Sequence, residues 1–162
     1  MKVIELTKGQ VTLVDDDDYK WLCKYKWHLH PKCYAAHTRS RAYSKQRIIL
    51  MHRMIMDAQD DEQVDHINHD TLDNRRENLR LCTCPENQRN RRKVLKSGVS
   101  SIFKGVSWNW WCHKWRARIK INNYTYYLGI FENEQDAALA YDMKAIELFG
   151  EFASLNFARS KT

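Results

Sequence analysis

Breakers of regular structure are scarce in this sequence, which has two prolines and five glycines among 162 residues. That scarcity excludes collagen-like, linker-like and low-complexity chains. No apolar run approaches the roughly 18 residues of a membrane span, and no signal peptide precedes the acidic residues 15–18. We therefore expect a soluble, intracellular protein without a membrane partner, folded into one or two small domains.

The five cysteines are odd in number and irregular in spacing, so we expect no disulfide framework. Cys82 and Cys84 are separated by one residue, whereas the paired ligands of zinc knuckles are separated by roughly two to four. Buried, reduced thiols are the better interpretation. A zinc site that Cys23 and Cys33 complete over a long range is the minor alternative.

Positive charge is in excess, with 27 Lys and Arg against 20 Asp and Glu and a net charge of +7. Residues 75–96 are strongly basic, and residues 103–131 hold basic side chains and no acidic ones. Residues 132–151 reverse the sign. This pattern predicts two basic surfaces and one acidic element that faces away from a polyanionic partner, most often nucleic acid.

A short segment of small and polar residues near 96–101 separates two different sequence patterns. Such a composition is typical of a flexible connection between folded units. The sequence therefore predicts a first domain over residues 1–96, a linker over 97–102 and a second domain over 103–158.

Apolar spacing predicts the elements of the first domain. Residues 3–14 and 27–37 read as two hairpins, the second around Pro31. Residues 47–58 place Ile48, Met51 and Ile55 at helical spacing and predict a helix. The acidic residues 15–18 are expected to begin a helix, because carboxylates favour its positive end. A metal cluster is the minority interpretation of that acidic run.

The pair Asp65 and His66 carries the most chemistry. A carboxylate beside an imidazole at a strand end places a hard metal ligand next to a potential general base. Neighbours on a strand point to opposite faces, so one can face an ion and the other a water. Pro85 suits a first helical turn, on which Asn87 follows with a further oxygen ligand. Base and cation together are what phosphodiester hydrolysis needs.

The ordered set Asp65-His66, Asn78-Leu79-Arg80 and Asn87 resembles the HNH endonucleases, particularly the phage homing-endonuclease branch, over roughly residues 19–92. The resemblance implies a ββα-metal fold, in which a hairpin and a helix surround one divalent cation. It implies that His66 is the general base and that Asp65 and Asn87 hold the metal. It also implies that Asn78 braces the hairpin loop and orients His66.

The third family position is His in many HNH enzymes and Asn87 here, which favours Mg²⁺ or Mn²⁺ over Zn²⁺. His52 lies in a segment similar to the family's His-Arg helix. A catalytic role near the scissile phosphate and a packed helix histidine both stay open for it. Arg89 and Arg92 are expected to clamp DNA phosphates, with a solvated helix end as the alternative.

Residues 115–121 alternate without error between apolar and cationic side chains. Such a strand has one face for a core and one for phosphates. Residues 103–108 and 124–130 are expected to flank it, and Asn133 to begin a helix. The fold class predicted for the whole chain is α+β: a ββα-metal module with N-terminal hairpins, then a three-stranded antiparallel sheet packed on one helix.

Residues 103–106, 127–129, 137–142 and 155–157 resemble the plant ethylene-response-factor (APETALA) DNA-binding domain. That resemblance implies a sheet that lies in the major groove, where base identity can be read. Ser107 and Asn109 replace arginines common in the plant proteins, so the plant target sequence does not carry over. Arg116 joins the contact positions because of the alternation. The DNA-contact positions expected in this domain are Lys104, Ser107, Asn109, Trp111, Arg116, Arg118, Lys120 and Tyr127.

These features predict a site-specific, metal-dependent DNA endonuclease of homing type in a bacterial or phage-infected cell. Its expected partner is double-stranded DNA and its expected cofactor is Mg²⁺ or Mn²⁺, without a small-molecule cofactor. A monomer with one such centre nicks DNA, and a dimer can cut both strands. The alternative is a sequence-specific DNA-binding regulator with an inactive relic nuclease module. A packaging or recombination nuclease is a third and weaker interpretation.

Overall fold

A computed structural model describes residues 1–41, 44–95 and 97–157 of the chain. These residues form several small sheets and four α-helices, so the class is mixed α and β. The chain divides into two compact units, Met1–Asn87 and Gln88–Thr162. Lys96, at the predicted boundary, and residue 158, at the predicted end of the second domain, lie outside the described residues. None of the described helices is long and apolar enough to cross a bilayer.

The first unit opens with the predicted hairpin of β1 (Lys2–Glu5) and β2 (Val11–Val14), which pair in antiparallel register. Helix α1 (Asp16–Leu22) follows and begins in the acidic run, as expected. Asp15 takes the N-cap position, but its side chain makes no capping hydrogen bond.

A second sheet consists of β3 (His28–Leu29), β4 (Ala35–Arg41) and β5 (Ser44–Leu50). The pairing of β3 with β4 confirms the second predicted hairpin. The helix predicted over residues 47–58 is wrong at its start, because α2 spans only Met51–Ile55. Ile48 and Ile49 pair with β4 instead. Their β-branched side chains suit a strand, so sheet pairing overrides a spacing that also fits a helix.

Strands β6 (Gln63–His66) and β7 (Leu79–Cys82) form a separate antiparallel pair, and α3 (Cys84–Asn90) follows β7 directly. One hydrophobic core joins the β6–β7 pair to the two N-terminal sheets. Val14, Leu22 and Met51 are fully buried in it. Val64 of β6 and Leu79 of β7 pack against the same core, which fixes the position of the β6–β7 pair.

The second unit has a three-stranded antiparallel sheet of β8 (Val106–Asn109), β9 (Lys114–Ile121) and β10 (Tyr124–Phe131). Helix α4 (Glu134–Phe149) packs on the apolar face of this sheet. Strand β8 begins three residues later than the sequence pattern predicts. Phe103 instead lies in the turn before β8 and stacks with Phe157 at a ring distance of 5.3 Å.

Gly105 marks the closest approach between the start of β8 and helix α4. Its φ is +77°, and a Cβ there would lie 2.0 Å from the Tyr141 ring and 2.7 Å from the Arg118 carbonyl oxygen. Glycine is therefore required twice, by the backbone conformation and by the packing. Small helix residues, Ala137, Ala138 and Ala145, let the rest of α4 lie equally close to the sheet.

We predict that Gly105→Ala lowers the free energy of unfolding of the second unit by about 2 kcal/mol or more, because strain and overlap add. The matched control is Gly98→Ala. Gly98 also has a positive φ (+84°) but nothing within 4 Å of a Cβ. The control should therefore lose about 1 kcal/mol, from backbone strain alone. Urea unfolding measures both, and equal losses would show that contact with Tyr141 is unimportant.

Candidate active site

Asp65 and His66 are the last two residues of β6, and their side chains point to opposite faces of the strand. Asp65 lies opposite Arg80 and His66 lies opposite Leu79 in the register. Since neighbours on a strand point to opposite faces, Asp65 shares its face with Gln63 and Arg80, and His66 shares its face with core residues. Both side chains are buried. The sequence-based expectation of two separate tasks thus has a geometric basis.

The loop of residues 67–78 connects the two strands, and Asn78 holds it closed. Its Oδ1 accepts the backbone N–H of Asn68 at 3.0 Å, and its Nδ2 donates to the carbonyl of Asp73 at 2.8 Å. The Ile67 N–H donates to the Asn78 carbonyl at 2.9 Å. These are the contacts of a side-chain amide that replaces missing backbone partners in a loop. Asn78 thus bonds both ends of the loop, and its role in orienting His66 stays a prediction.

Asn74 orients the His66 ring by accepting a hydrogen bond from it. The distance from His66 Nε2 to Asn74 Oδ1 is 3.3 Å. Sequence analysis does not single out Asn74, because an asparagine in a polar loop carries no local signal. Burial lowers the pKa of His66, while the bond to Asn74 and the nearby carboxylates of Asp65, Asp70 and Asp73 act in the opposite direction. Because burial dominates, the ring is neutral at neutral pH and able to accept a proton.

His52, on α2, lies directly beside His66. The two rings meet edge to face at 5.0 Å between centroids, and the Tyr34 ring packs against both. Burial first, and then the charges of His66 and Arg53, lower the pKa of His52 to about 3. Its Nδ1 is buried without a hydrogen-bond partner in the part of the chain that the structure describes. His52 is therefore a neutral, packed neighbour of His66.

The metal ligands expected from the sequence, Asp65 and Asn87, are both connected to the same face of β6. Asn87 Nδ2 donates to Gln63 Oε1 at 2.7 Å, and Gln63 is on the Asp65 side of the strand. Arg80 Nε and Nη2 donate to Asp65 Oδ2 at 2.9 and 2.6 Å, so the guanidinium holds the carboxylate in place. A cation at Asp65 would have to share this carboxylate with Arg80.

The donor chemistry of this face fits a hard cation. Asn87 uses its amide nitrogen toward Gln63, which leaves its carbonyl oxygen for another partner. Across residues 1–41, 44–95 and 97–157, no three His, Cys, Asp or Glu side chains cluster as a metal site. One carboxylate and one amide oxygen, completed by water and phosphate oxygens, suit Mg²⁺ or Mn²⁺.

Two side chains of the acidic residues 15–18 bind the loop that contains Asn74. Asp15 Oδ2 accepts the Arg76 backbone N–H at 2.8 Å, and the buried Asp18 carboxylate accepts two bonds at 2.8 Å from the Arg76 guanidinium. Arg75 makes a second two-pronged ion pair, with Asp73. Partly buried bidentate pairs of this kind fix geometry more than exposed ones. The acids thus position the loop as well as α1.

The outer face of the second unit's sheet gathers most of the predicted DNA contacts. Strand register places Ser107 opposite Arg116 and Tyr127 opposite Arg118, on the face away from α4. Trp111 lies in the turn between β8 and β9 with 97% of its surface exposed. The predicted DNA-contact residues on this face are Ser107, Asn109, Arg116, Arg118, Lys120 and Tyr127.

Lys104 lies elsewhere. Its Nζ donates to the carbonyls of Arg89 and Arg91 at 2.6 and 2.7 Å. Burial lowers the pKa of Lys104 to about 8, although the two carbonyl oxygens favour its charged form. Arg89, a predicted phosphate clamp, lies over the Phe149 ring at 5.2 Å, whereas Arg92 is exposed. The contacts of Lys104 are thus those of a residue that secures the backbone around positions 89–91.

Comparison with known proteins decides the family. A sequence profile of the HNH endonucleases matches residues 57–89. An uncharacterised HNH endonuclease of Acanthamoeba polyphaga mimivirus is 32% identical over 152 residues, which cover 92% of this chain and 76% of the relative. The chain belongs to the HNH endonuclease family. The matched profile residues include Asp65, His66, Asn78 and Asn87 of this HNH protein, but neither His52 nor the N-terminal hairpin.

A second similarity is partial. An ethylene-responsive transcription factor of Arabidopsis thaliana is 43% identical over 61 residues, which cover 35% of the HNH protein and 38% of the plant protein. This match gives loose support to the second resemblance seen in the sequence.

We predict that the HNH protein loses stability as the pH falls from about 6.5 to about 3, with His52 as one cause. In this window an unfolded chain protonates His52 and the folded chain does not, because its pKa is lowered to about 3. Each such group contributes a slope of up to about 1.4 kcal/mol per pH unit.

Urea unfolding at a series of pH values measures that slope. His52→Leu should make it shallower by about one proton, whereas His28→Gln, a change at a half-buried histidine in the same unit, serves as the control. An unchanged slope in His52→Leu would mean that His52 is protonated in the folded protein.

Proposed function

We propose that this protein is a site-specific DNA endonuclease of homing type, which hydrolyses phosphodiester bonds with one divalent cation. The observation that carries the proposal is the placement of Asp65 and His66 on opposite faces at the end of one strand. In-line displacement at phosphorus needs the attacking and leaving oxygens on opposite sides. When a base and a metal ligand are adjacent residues whose side chains point in different directions, one can serve the attacking oxygen and the other the leaving oxygen.

In the proposed mechanism, His66 accepts a proton from the attacking water. Its neutral ring has that capacity because burial lowers its pKa. Asp65 and Asn87 would hold a divalent cation, which would supply positive charge for the phosphate and the leaving 3′ oxygen. Asn78 keeps the loop closed behind the ring, through its bonds to Asn68 and Asp73. Arg80 holds the Asp65 carboxylate in position through two hydrogen bonds.

We further propose that the sheet of the second unit binds double-stranded DNA, in the major groove, and directs the nuclease to its site. The cationic outer face and the exposed Trp111 support this. Ser107 Oγ and Arg116 Nε are covered and have no hydrogen-bond partner within residues 1–41, 44–95 and 97–157. Such unpaired groups are unfavourable in a finished surface, and nucleic acid offers acceptors for them.

The regulator with a relic nuclease stays the second candidate because the Arg80–Asp65 ion pair satisfies the carboxylate without a metal. Cleavage distinguishes the two. We predict that the protein with Mg²⁺ cuts phage genomic DNA at a recurrent sequence, found by sequencing the ends, and that EDTA abolishes cutting. His66→Ala should slow cleavage by about 10²-fold to 10⁴-fold and leave DNA affinity within a few fold.

The matched control for that variant is His69→Asn, in the loop three residues further on. His69 has a φ of +67°, a conformation that asparagine tolerates, so this change removes a histidine without straining the backbone. It should leave cleavage near the wild-type rate. Undiminished cutting by His66→Ala would rule out His66 as the base, and no cutting by the wild type on any DNA would favour the regulator.

For the sheet, we predict that Arg118 and Lys120 contact phosphates. Arg118→Gln and Lys120→Gln should then each weaken DNA binding by a similar factor on all sequences. Each should also reduce the slope of log affinity against log salt by about 1. Lys144→Gln on α4 is the control, because Lys144 pairs with Glu147 on the helix. Fluorescence anisotropy over a salt series measures the slopes. Equal slopes in all three variants would exclude this face from the interface.

A further inference from the structure

Two hydrogen bonds connect His66 to Thr12 of the N-terminal hairpin by way of Asn74, and a third, from Thr12 to a backbone carbonyl, fixes the direction of both. The Thr12 hydroxyl lies 2.6 Å from the Leu72 carbonyl oxygen. A carbonyl can only accept, so Thr12 donates its single proton there; the other acceptor in reach, the Met51 sulfur, is weak and lies 4.0 Å away. Its oxygen can then only accept at its other contact, with Asn74 at 2.7 Å.

The same logic continues to the histidine. Asn74 must present its amide nitrogen to Thr12, and therefore its Oδ1 to His66 Nε2. Since that oxygen can only accept, Nε2 carries the ring proton, and the lone pair of the neutral ring is at Nδ1. Thr12 and Asn74 are both completely buried, so solvent does not offer either of them a competing partner.

We propose that Thr12 and Asn74 are positioning residues that hold His66 in the Nε2–H tautomer. The proposal rests on the function proposed for His66, because a base must keep its lone pair on the nitrogen that meets the water. A rotated Asn74 amide would offer a donor to Nε2 and select the opposite tautomer, with the proton on Nδ1. Thr12 is what makes that rotation unfavourable, since it would leave the amide oxygen facing the hydroxyl's acceptor side.

The backbone holds Thr12 in the register that this relay needs. The Leu13 N–H donates to the Leu72 carbonyl at 2.9 Å, and the Asn74 N–H donates to the Leu13 carbonyl at 2.8 Å. Leu13 and Asp73 thereby form a parallel bridge between β2 and the loop. Thr12 lies on β2, outside the residues 57–89 that match the family profile, so the proposed positioning role falls partly on a strand that the profile does not include.

The test compares Thr12→Val, which keeps the shape and removes the hydroxyl, with Thr12→Ser, which keeps the hydroxyl. Long-range ¹H–¹⁵N NMR spectra of the full protein, without metal or DNA, report the tautomer of each histidine. The His66 signals are those missing from His66→Ala. We expect Nε2–H in the wild type, a mixture of tautomers in Thr12→Val and recovery of Nε2–H in Thr12→Ser.

Cleavage kinetics give the second measurement. Thr12→Val should lower kcat about tenfold with KM for DNA unchanged, and Thr12→Ser should recover most of kcat. A wild-type His66 with its proton on Nδ1 overturns the proposal without any variant, even if Thr12→Val does not fold. A single Nε2–H tautomer together with wild-type kcat in Thr12→Val overturns it as well. A tautomer shift in a protein that never cuts DNA would contradict only the proposed function.

Discussion

The pairing of strand β2 with the loop of residues 67–78 is the constraint on which the candidate site depends. An open loop of this length would lose much conformational entropy on ordering, and it has no regular strand of its own to offset that loss. Leu13 supplies the missing backbone partners on one side, and Asn78 supplies them on the other. The ion pair of Arg76 with Asp18 adds a third attachment. Without these contacts, Asn74 would have no fixed position from which to meet His66.

The electrostatics of the site follow from this closure. Because the loop packs over His66 and the Tyr34 ring packs against both imidazoles, burial keeps both of them neutral. Two of the carboxylates near His66 are each paired with an arginine, Asp65 with Arg80 and Asp73 with Arg75. The two ion pairs therefore offset the negative charges of Asp65 and Asp73 beside the buried histidines. A neutral imidazole next to a carboxylate that can hold a hard cation is the combination that a metal-assisted hydrolase needs.

Sequence patterns predict the parts that local spacing determines. The alternation over residues 115–121 gave strand β9 and the cationic side of the sheet, because a period of two has one structural meaning. The helix predicted for residues 47–50 is wrong, because their apolar spacing fits a helix and a strand equally. Only the pairing with β4 selects the strand. Asn74 and Thr12 are 62 residues apart, and no local signal joins them. The motif residues were identifiable because their order and spacing are rare, whereas the residues that orient them are ordinary.

In the second unit, fewer cationic side chains face outward for DNA than the sequence contains. Of the cations between residues 103 and 131, Lys104 is engaged by two backbone carbonyls and Lys114 by Glu132. Three cations then remain on the outer face of the sheet, Arg116, Arg118 and Lys120. Since each phosphate neutralised contributes about 0.9 to the salt slope, this sheet can supply a slope of only about 3. A steeper measured dependence would have to draw on arginines outside the sheet, such as the exposed Arg91 and Arg92.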